Sequence, residues 1–177
     1  MAGNHRQHDA DSGQDAADGT VIQGRGTIMS FIDSLVSHLG DIDIEADALP
    51  ALVPAVIAAG AMIAFADGAV EPKELKEIDD EALKCLMGDP ATADDIHRVV
   101  GLHMSNFDRD AEYGHDRALA VLADFASDAP DDQKATVLNA ALHVARACHD
   151  GDLTPPERDA ALEVARILDL DSRTFGL

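Results

Sequence analysis

The most constraining feature of this sequence is a helix-Asp-Gly-helix unit that occurs twice. In the first copy an apolar segment runs into Asp67-Gly68, and the chain restarts at Pro72 with Glu74 two residues later. The second copy, residues 145–158, has the same order of residues. The matched pairs are Ala64/Ala147, Asp67/Asp150, Gly68/Gly151, Val70/Leu153, Pro72/Pro155 and Glu74/Glu157. We therefore interpret the chain as a helical domain built on an internal duplication.

The residue types of this unit are those that end one helix and begin the next. Glycine just past a helix end accepts the left-handed backbone conformation that such an ending requires. Proline in the first helical turn loses no hydrogen bond, because an N–H at that position has no partner within the helix. In the second copy Thr154 and Glu157 have the spacing of a capping box. Glu71 takes the cap position of the first copy, where it is a poorer choice.

The unit also resembles half of a calcium-binding EF-hand loop. Asp150, Gly151 and Glu157 match the middle and the end of that loop. The first ligand positions would be filled by Arg146 and Cys148, whose side chains offer no hard oxygen, and the first copy has apolar residues there. Neither copy is an EF-hand by itself.

Composition narrows the classes of partner. The chain has 34 acidic and 13 basic residues, for a formal net charge of −21. This charge argues against nucleic acid as a direct partner and against unaided binding to anionic lipid, and it favours divalent cations. Cys85 and Cys148 have no Cys-x-x-Cys partner, so we predict a reduced cytoplasmic protein with buried thiols.

An uncharged segment, residues 48–66, is close to the length of a membrane-spanning helix. It contains two prolines, is rich in alanine, and is flanked by Asp47 and Asp67 in place of lysine or arginine. We therefore predict a buried central helix and no membrane span.

The polar residues 1–28 contain almost no apolar side chains, so a disordered tail is predicted before a folded domain at 29–177. In that domain apolar residues recur at helical spacing, and no run alternates as a strand would. The predicted helices cover about residues 29–40, 49–66, 72–87, 92–105, 111–126, 131–149 and 155–168. A turn is predicted at 106–110, and Phe175 is predicted to pack against the bundle. The predicted fold class is all-α, a compact bundle of about seven helices.

Four features, in this order along the chain, resemble the TerB tellurite-resistance family. They are Met-Ser-Phe-Ile-Asp at residues 29–33, the duplicated unit, the motif Phe-Asp-x-Asp-x-Glu-x-Gly at 107–114 between its two copies, and the terminal Phe-Gly-Leu at 175–177. The first of these is similar to the usual start of such proteins. Residues 1–28 would then be an extension or the result of a misplaced start codon.

The resemblance implies a compact helical domain encoded with tellurite-resistance or general stress genes. It implies partner proteins, namely an integral-membrane protein and calcium-binding proteins of the TerD type. These partners would hold a cytoplasmic protein at the inner face of the membrane. It also implies a divalent-metal site made of acidic side chains. The matching positions are Asp67, Glu74, Asp150 and Glu157, with Asp108, Asp110 and Glu112 from the middle motif as secondary candidates.

The residues themselves give a reason for the same site. Two half-loops, each lacking its first ligands, could complete one another across a pseudo-two-fold axis. Calcium takes six or more oxygen ligands, and magnesium takes a near-octahedral set. Four carboxylates and the middle motif could meet either requirement, so calcium, magnesium and manganese are the candidate ions.

Each acid also has a structural alternative. The aspartates of the repeated unit suit Asx turns, its glutamates suit capping boxes, and the acids of the middle motif suit the start of a helix. The alternative hypothesis is therefore a metal-free acidic adaptor whose charge alone selects a protein partner.

Zinc and catalysis find less support in the sequence. Histidines 97, 103, 115 and 143 form no His-x-x-x-His pair on one helix face, although His149 beside Asp150 could be an ancillary ligand. There is no nucleophile elbow, P-loop or dinucleotide fingerprint. We therefore predict a non-enzymatic protein, with metal-dependent hydrolysis as the remaining alternative.

Overall fold

The computed structural model describes residues 49–86, 93–148 and 151–177. The predicted tail and the predicted first helix lie outside these residues. The described part of the chain contains six α-helices and no strand, which confirms the predicted all-α class. Helix α1 spans Leu52–Ala64, α2 Pro72–Cys85, α3 Ala93–Arg109, α4 Ala111–Asp128, α5 Asp131–Arg146 and α6 Pro155–Ile167, and a short 3-10 helix spans Ser172–Phe175.

Helix α1 is the centre of the bundle. Every residue of α1 except Leu52 and Pro54 is buried, as expected for a helix that is apolar on all sides. Pro54 lies in the first turn, where its missing N–H costs no helical bond, so α1 is continuous. The other five helices all pack against α1. A β-carbon at Gly60 would lie 3.0 Å from Ile78 of α2 and 3.4 Å from Val144 of α5, which shows how closely these three helices approach.

The endings of the repeated unit follow the prediction. Gly68 has a φ of +85° and Gly151 a φ of +94°, both in the left-handed region. Pro72 and Pro155 are the first residues of α2 and α6. Each copy therefore turns sharply between two helices, and the two copies are α1–α2 and α5–α6.

The predicted turn at residues 106–110 is wrong. Helix α3 continues to Arg109, and only Asp110 separates it from α4. The reason is tertiary packing: Phe107 is buried and stacks on Phe65 at the end of α1, with ring centroids 4.5 Å apart. A β-carbon at Gly114 would lie 2.6 Å from the Phe107 backbone, so the middle motif is a place where two helices cross closely.

Most apolar faces of the helices are buried as predicted, but Leu102 and Leu162 are exposed. Phe175 packs against the core from the 3-10 helix, as predicted. No helix within the described ranges has the length and apolar character needed to cross a membrane.

Candidate functional site

The Asp67 side chain completes its own turn. Asp67 is exposed between α1 and α2, and its Oδ1 accepts a hydrogen bond from the N–H of Ala69 at 2.9 Å. This is the Asx turn that was the structural alternative for this residue. The second carboxylate oxygen of Asp67 is not needed for that turn.

The two glutamates of the repeated unit have equivalent positions. Glu157 Oε2 accepts a hydrogen bond from the N–H of Thr154 at 2.6 Å, and Glu157 N donates to Thr154 Oγ1 at 3.4 Å, so the predicted capping box is confirmed. In the first copy Glu74 Oε2 accepts from the N–H of Glu71 at 2.7 Å. The two side chains are buried, with 3% of Glu74 and 2% of Glu157 exposed.

The electrostatics of Glu74 show that the two copies converge. Burial and the negative charges of Glu157, Asp67 and Glu71 together raise the pKa of Glu74 to about 7, against the opposing hydrogen bond from Glu71 N. Two of these acids belong to the same copy as Glu74, and Glu157 belongs to the other. We call Asp67, Glu71, Glu74 and Glu157 the acidic pole.

Cys148 gives a second link between the copies. Burial, a hydrogen bond with the Glu71 side chain and the negative charge of Glu74 raise the pKa of the Cys148 thiol to about 12, although Lys73 opposes the shift. The thiol just beyond the end of α5 therefore lies against the start of α2. Cys85 and Cys148 are both free, and each is half-buried where the sequence predicted a buried thiol. A thiol with so high a pKa is protonated at neutral pH and is a poor nucleophile.

The other predicted ligands are distributed differently. Asp150 and His149 lie outside the described residues. Asp110 caps α4, because its Oδ1 accepts a hydrogen bond from the N–H of Tyr113 at 2.8 Å. Asp108 is exposed near the end of α3, and Glu112 lies in the first turn of α4.

A third group of polar side chains was missed by sequence reasoning. Donor atoms of Glu77, Glu81 and His143 all lie within 4.8 Å of one another. Glu81 Oε1 is 2.9 Å from His143 Nδ1 and 2.6 Å from Lys84 Nζ. We call Glu77, Glu81 and His143 the α2–α5 cluster. The i, i+4 spacing of the two glutamates was a visible signal, but nothing local in the sequence brings a histidine of α5 to them.

The acidic pole offers the type of ligand atom that a hard divalent cation prefers. Its ligand atoms would be carboxylate oxygens, and the like charges that raise the pKa of Glu74 are those that a bound cation would neutralise. Among the described residues, Asp67, Glu74 and Glu157 do not reach the mutual 4.8 Å spacing of the α2–α5 cluster. A complete ligand shell at the pole would therefore also need Asp150 or water.

Comparison with known proteins gives one match. The family model for tellurite resistance protein TerB matches residues 54–177, which include α1 almost entirely and everything that follows it. A search of curated proteins and a search of solved structures gave no match. The match covers well over half of the chain, both copies of the unit and the middle motif, and we conclude that the chain belongs to the TerB family.

Proposed function

We propose that this protein is a non-enzymatic module of tellurite resistance that binds a hard divalent cation at the acidic pole and docks partner Ter proteins. The observation that supports it best is the convergence of the two copies, in which Glu157 and Asp67 act on the charge of the buried Glu74. Buried carboxylates held close together are costly without a counter-charge. A divalent cation supplies that charge.

In this proposal the residues of the pole bind and orient the ion. Asp67, Glu74 and Glu157, with Asp150 from the second copy, would be its ligands, and Asp108 and Asp110 are secondary candidates. Calcium, magnesium and manganese suit an all-oxygen donor set better than zinc does. The bound ion would hold the start of α2 and the start of α6 together, and so fix the surface that a partner recognises.

The second candidate function is a metal-free acidic adaptor, and the hydrogen bonds of the pole support it. Asp67 closes an Asx turn, Glu74 and Glu157 accept capping bonds, and Asp110 caps α4. In this hypothesis these acids have structural roles only, and the net charge selects the partner.

One substitution separates the two hypotheses. Glutamine at position 74 retains an oxygen that can accept the capping bond from Glu71 N, but it removes the charge. We would measure the thermal midpoint of the full chain after chelation, and then with calcium, magnesium, manganese or zinc. A native-state ligand stabilises by about 2.7 kcal/mol at a hundredfold excess over its Kd.

The cation hypothesis expects a rise in the midpoint with one hard cation that Glu74→Gln and Asp67→Asn abolish. The control is Asp131→Asn, which removes one exposed first-turn charge from α5, away from the repeated turns. That variant should respond to the ion as the wild type does. A wild-type midpoint that no ion changes would reject the cation and leave the adaptor.

Docking is tested with the same variants. We propose that the partners are a TerD-type protein and an integral-membrane Ter protein, which would place this chain at the cytoplasmic face of the membrane. Sedimentation of the full chain with a purified TerD-type protein, with and without the stabilising ion, measures the association. An ion-dependent complex that Glu74→Gln weakens supports docking through the pole, whereas an ion-independent complex supports the adaptor.

A further inference from the structure

The α2–α5 cluster joins side chains from two helices at a partly buried position. Glu81 is buried, Glu77 is half-buried and His143 is exposed. Because their donor atoms all lie within 4.8 Å of one another, one ion could contact all three without a large movement of either helix. These residues lie outside the acidic pole and have no part in the cation site proposed there.

The donor set of this cluster differs in chemistry from that of the pole. It combines one imidazole nitrogen with two carboxylates, whereas the pole offers carboxylate oxygens. Imidazole ligands suit zinc and neighbouring transition metals, and three protein ligands with one open position are common for zinc. The hard ions calcium and magnesium gain little from a nitrogen ligand.

A cation already lies in this cluster. The Lys84 ammonium group is 2.6 Å from Glu81 Oε1 and 3.9 Å from Glu77 Oε1, so it contacts both carboxylates. The Lys84 side chain is 61% exposed, so it can leave the cluster for solvent at little cost. His143 is 57% exposed and can also adjust its ring.

We propose that Glu77, Glu81 and His143 form a second metal site, selective for a transition-metal ion of the zinc type, in which the Lys84 ammonium group takes the place of the ion when metal is absent. Lys84 and the ion would then compete for the same two carboxylates. This proposal does not depend on the function proposed for the acidic pole.

A matched pair of histidines tests the proposal. His115 on α4 lies 2.9 Å from Glu163 on α6, so it bridges two helices as His143 does, but in the described residues it belongs to no three-donor group. We would titrate zinc into the full chain against a chromophoric chelator. His5→Ala and His8→Ala would be present throughout, because tail histidines could bind zinc themselves.

The expected result is a zinc Kd that rises at least about tenfold in His143→Gln and is unchanged in His115→Gln. The imidazole resonances of His143 should shift in the NMR spectrum when zinc is added, and those of His115 should not. An equal loss in both variants would overturn the proposal, because zinc would then be bound by scattered histidines.

A gain of affinity tests the role of Lys84. Lys84→Met removes the competing ammonium group, so the zinc Kd should fall. Lys76→Met is the control, because Lys76 also pairs with an acid of α2, Asp80, and among the described residues it forms no ion-pair contact with the three ligands. A zinc affinity that is absent from the parent chain, or that Lys84→Met leaves unchanged, would overturn the proposal. Circular dichroism of each variant confirms that the comparison is made between folded proteins.

Discussion

Two buried glutamates on the same face of α2 have opposite pKa shifts. Glu74 and Glu81 are 3% and 7% exposed, and they are two helical turns apart. Burial, together with the charges of the neighbouring carboxylates, raises the pKa of Glu74 to about 7. Burial also raises the pKa of Glu81, but hydrogen bonds from Lys84 and His143 outweigh this effect, and the net pKa is lowered.

The difference lies in the neighbours and not in the depth of burial. Glu81 is compensated within the chain by a lysine and a histidine, so its charge is part of the folded structure. Glu74 is surrounded by Glu157, Asp67 and Glu71, so its charge is opposed by the fold. The α2–α5 cluster stabilises the bundle without a bound ion. In the acidic pole the carboxylates repel one another, and a proton or a cation can relieve that repulsion.

The largest expected effect comes from His103, whose protonation changes stability in the direction opposite to that of Glu74. His103 of α3 is buried, and within the described residues its Nδ1 has no hydrogen-bond partner. Burial and the charge of Arg117 lower its pKa to about 4 from 6.5. The stability that follows from its neutral form is complete above pH 6.5 and is lost as the pH falls toward 4. The full loss is about 3 kcal/mol.

Glu74 acts in the opposite direction over nearly the same range. Its folded pKa lies above its unfolded value of 4.5, so stability falls as the pH rises from 4.5 toward 7. In the wild type the two effects oppose one another. We therefore expect His103→Leu to show a stability that falls steadily as the pH rises from 4.5 to 7, in urea unfolding followed by circular dichroism. Met104→Leu is the control, since Met104 is buried on the same helix and carries no titratable group, so it should keep the shape of the wild-type profile. A loss of stability in acid that His103→Leu retains would contradict the assignment.

The next effect tests the stored repulsion itself. Glu74→Gln keeps a capping acceptor and removes the charge, so at pH 8 with chelator present the free energy of unfolding should rise. The rise should be about 1–2 kcal/mol after allowance for screening by water, and it should disappear as the pH falls below 4.5, where this position becomes protonated in both the folded and the unfolded wild type. A fall in stability at pH 8 would show that the capping bond matters more than the charge.

The same substitution at the compensated site should have the opposite sign. Glu81→Gln weakens two charge-assisted hydrogen bonds, and the free energy of unfolding at pH 7 should fall by about 1 kcal/mol. Because the pKa of Glu81 is lowered on folding, its contribution is present above pH 4.5 and is lost as the pH falls through the folded value. The variant and the wild type should therefore converge in acid. Glu163→Gln should change stability by less, because Glu163 is more exposed than Glu81 and is paired with a histidine alone across its helix interface.

Local sequence patterns predicted the turns and caps of the acidic pole but did not predict the α2–α5 cluster. The duplication, the left-handed glycines and the capping box of Thr154 and Glu157 depend on residues a few positions apart, so the sequence shows them directly. The pairing of Glu81 with His143 depends on how α2 packs beside α5, which spacing along the chain does not reveal. The turn predicted at residues 106–110 was wrong for a similar reason. Burial of Phe107 against Phe65 keeps this segment helical, although its polar residues indicated a turn.

The smallest expected effect concerns Asp169, at which the backbone conformation determines the change in stability. Asp169 has a φ of +55°, in the left-handed region, just past the end of α6. Leu170 N donates to Ala165 O at 2.9 Å and Asp169 N donates to Arg166 O at 3.3 Å, which is the pattern of a Schellman ending. A glycine is unstrained there, so Asp169→Gly should raise the free energy of unfolding by up to about 1 kcal/mol.

Asp159→Gly is the matched control for this prediction. It makes the same chemical change and removes the same charge, but at an exposed position inside α6, where glycine is less favourable than aspartate by roughly 0.3 kcal/mol. Urea unfolding of both variants should therefore give shifts of opposite sign. If both variants were stabilised, relief of the net charge of −21 would be the cause, and repulsion among the acids would then extend beyond Glu74 to the whole surface. Opposite signs would instead show that the backbone conformation, and not the removal of one negative charge, determines the effect of glycine at Asp169.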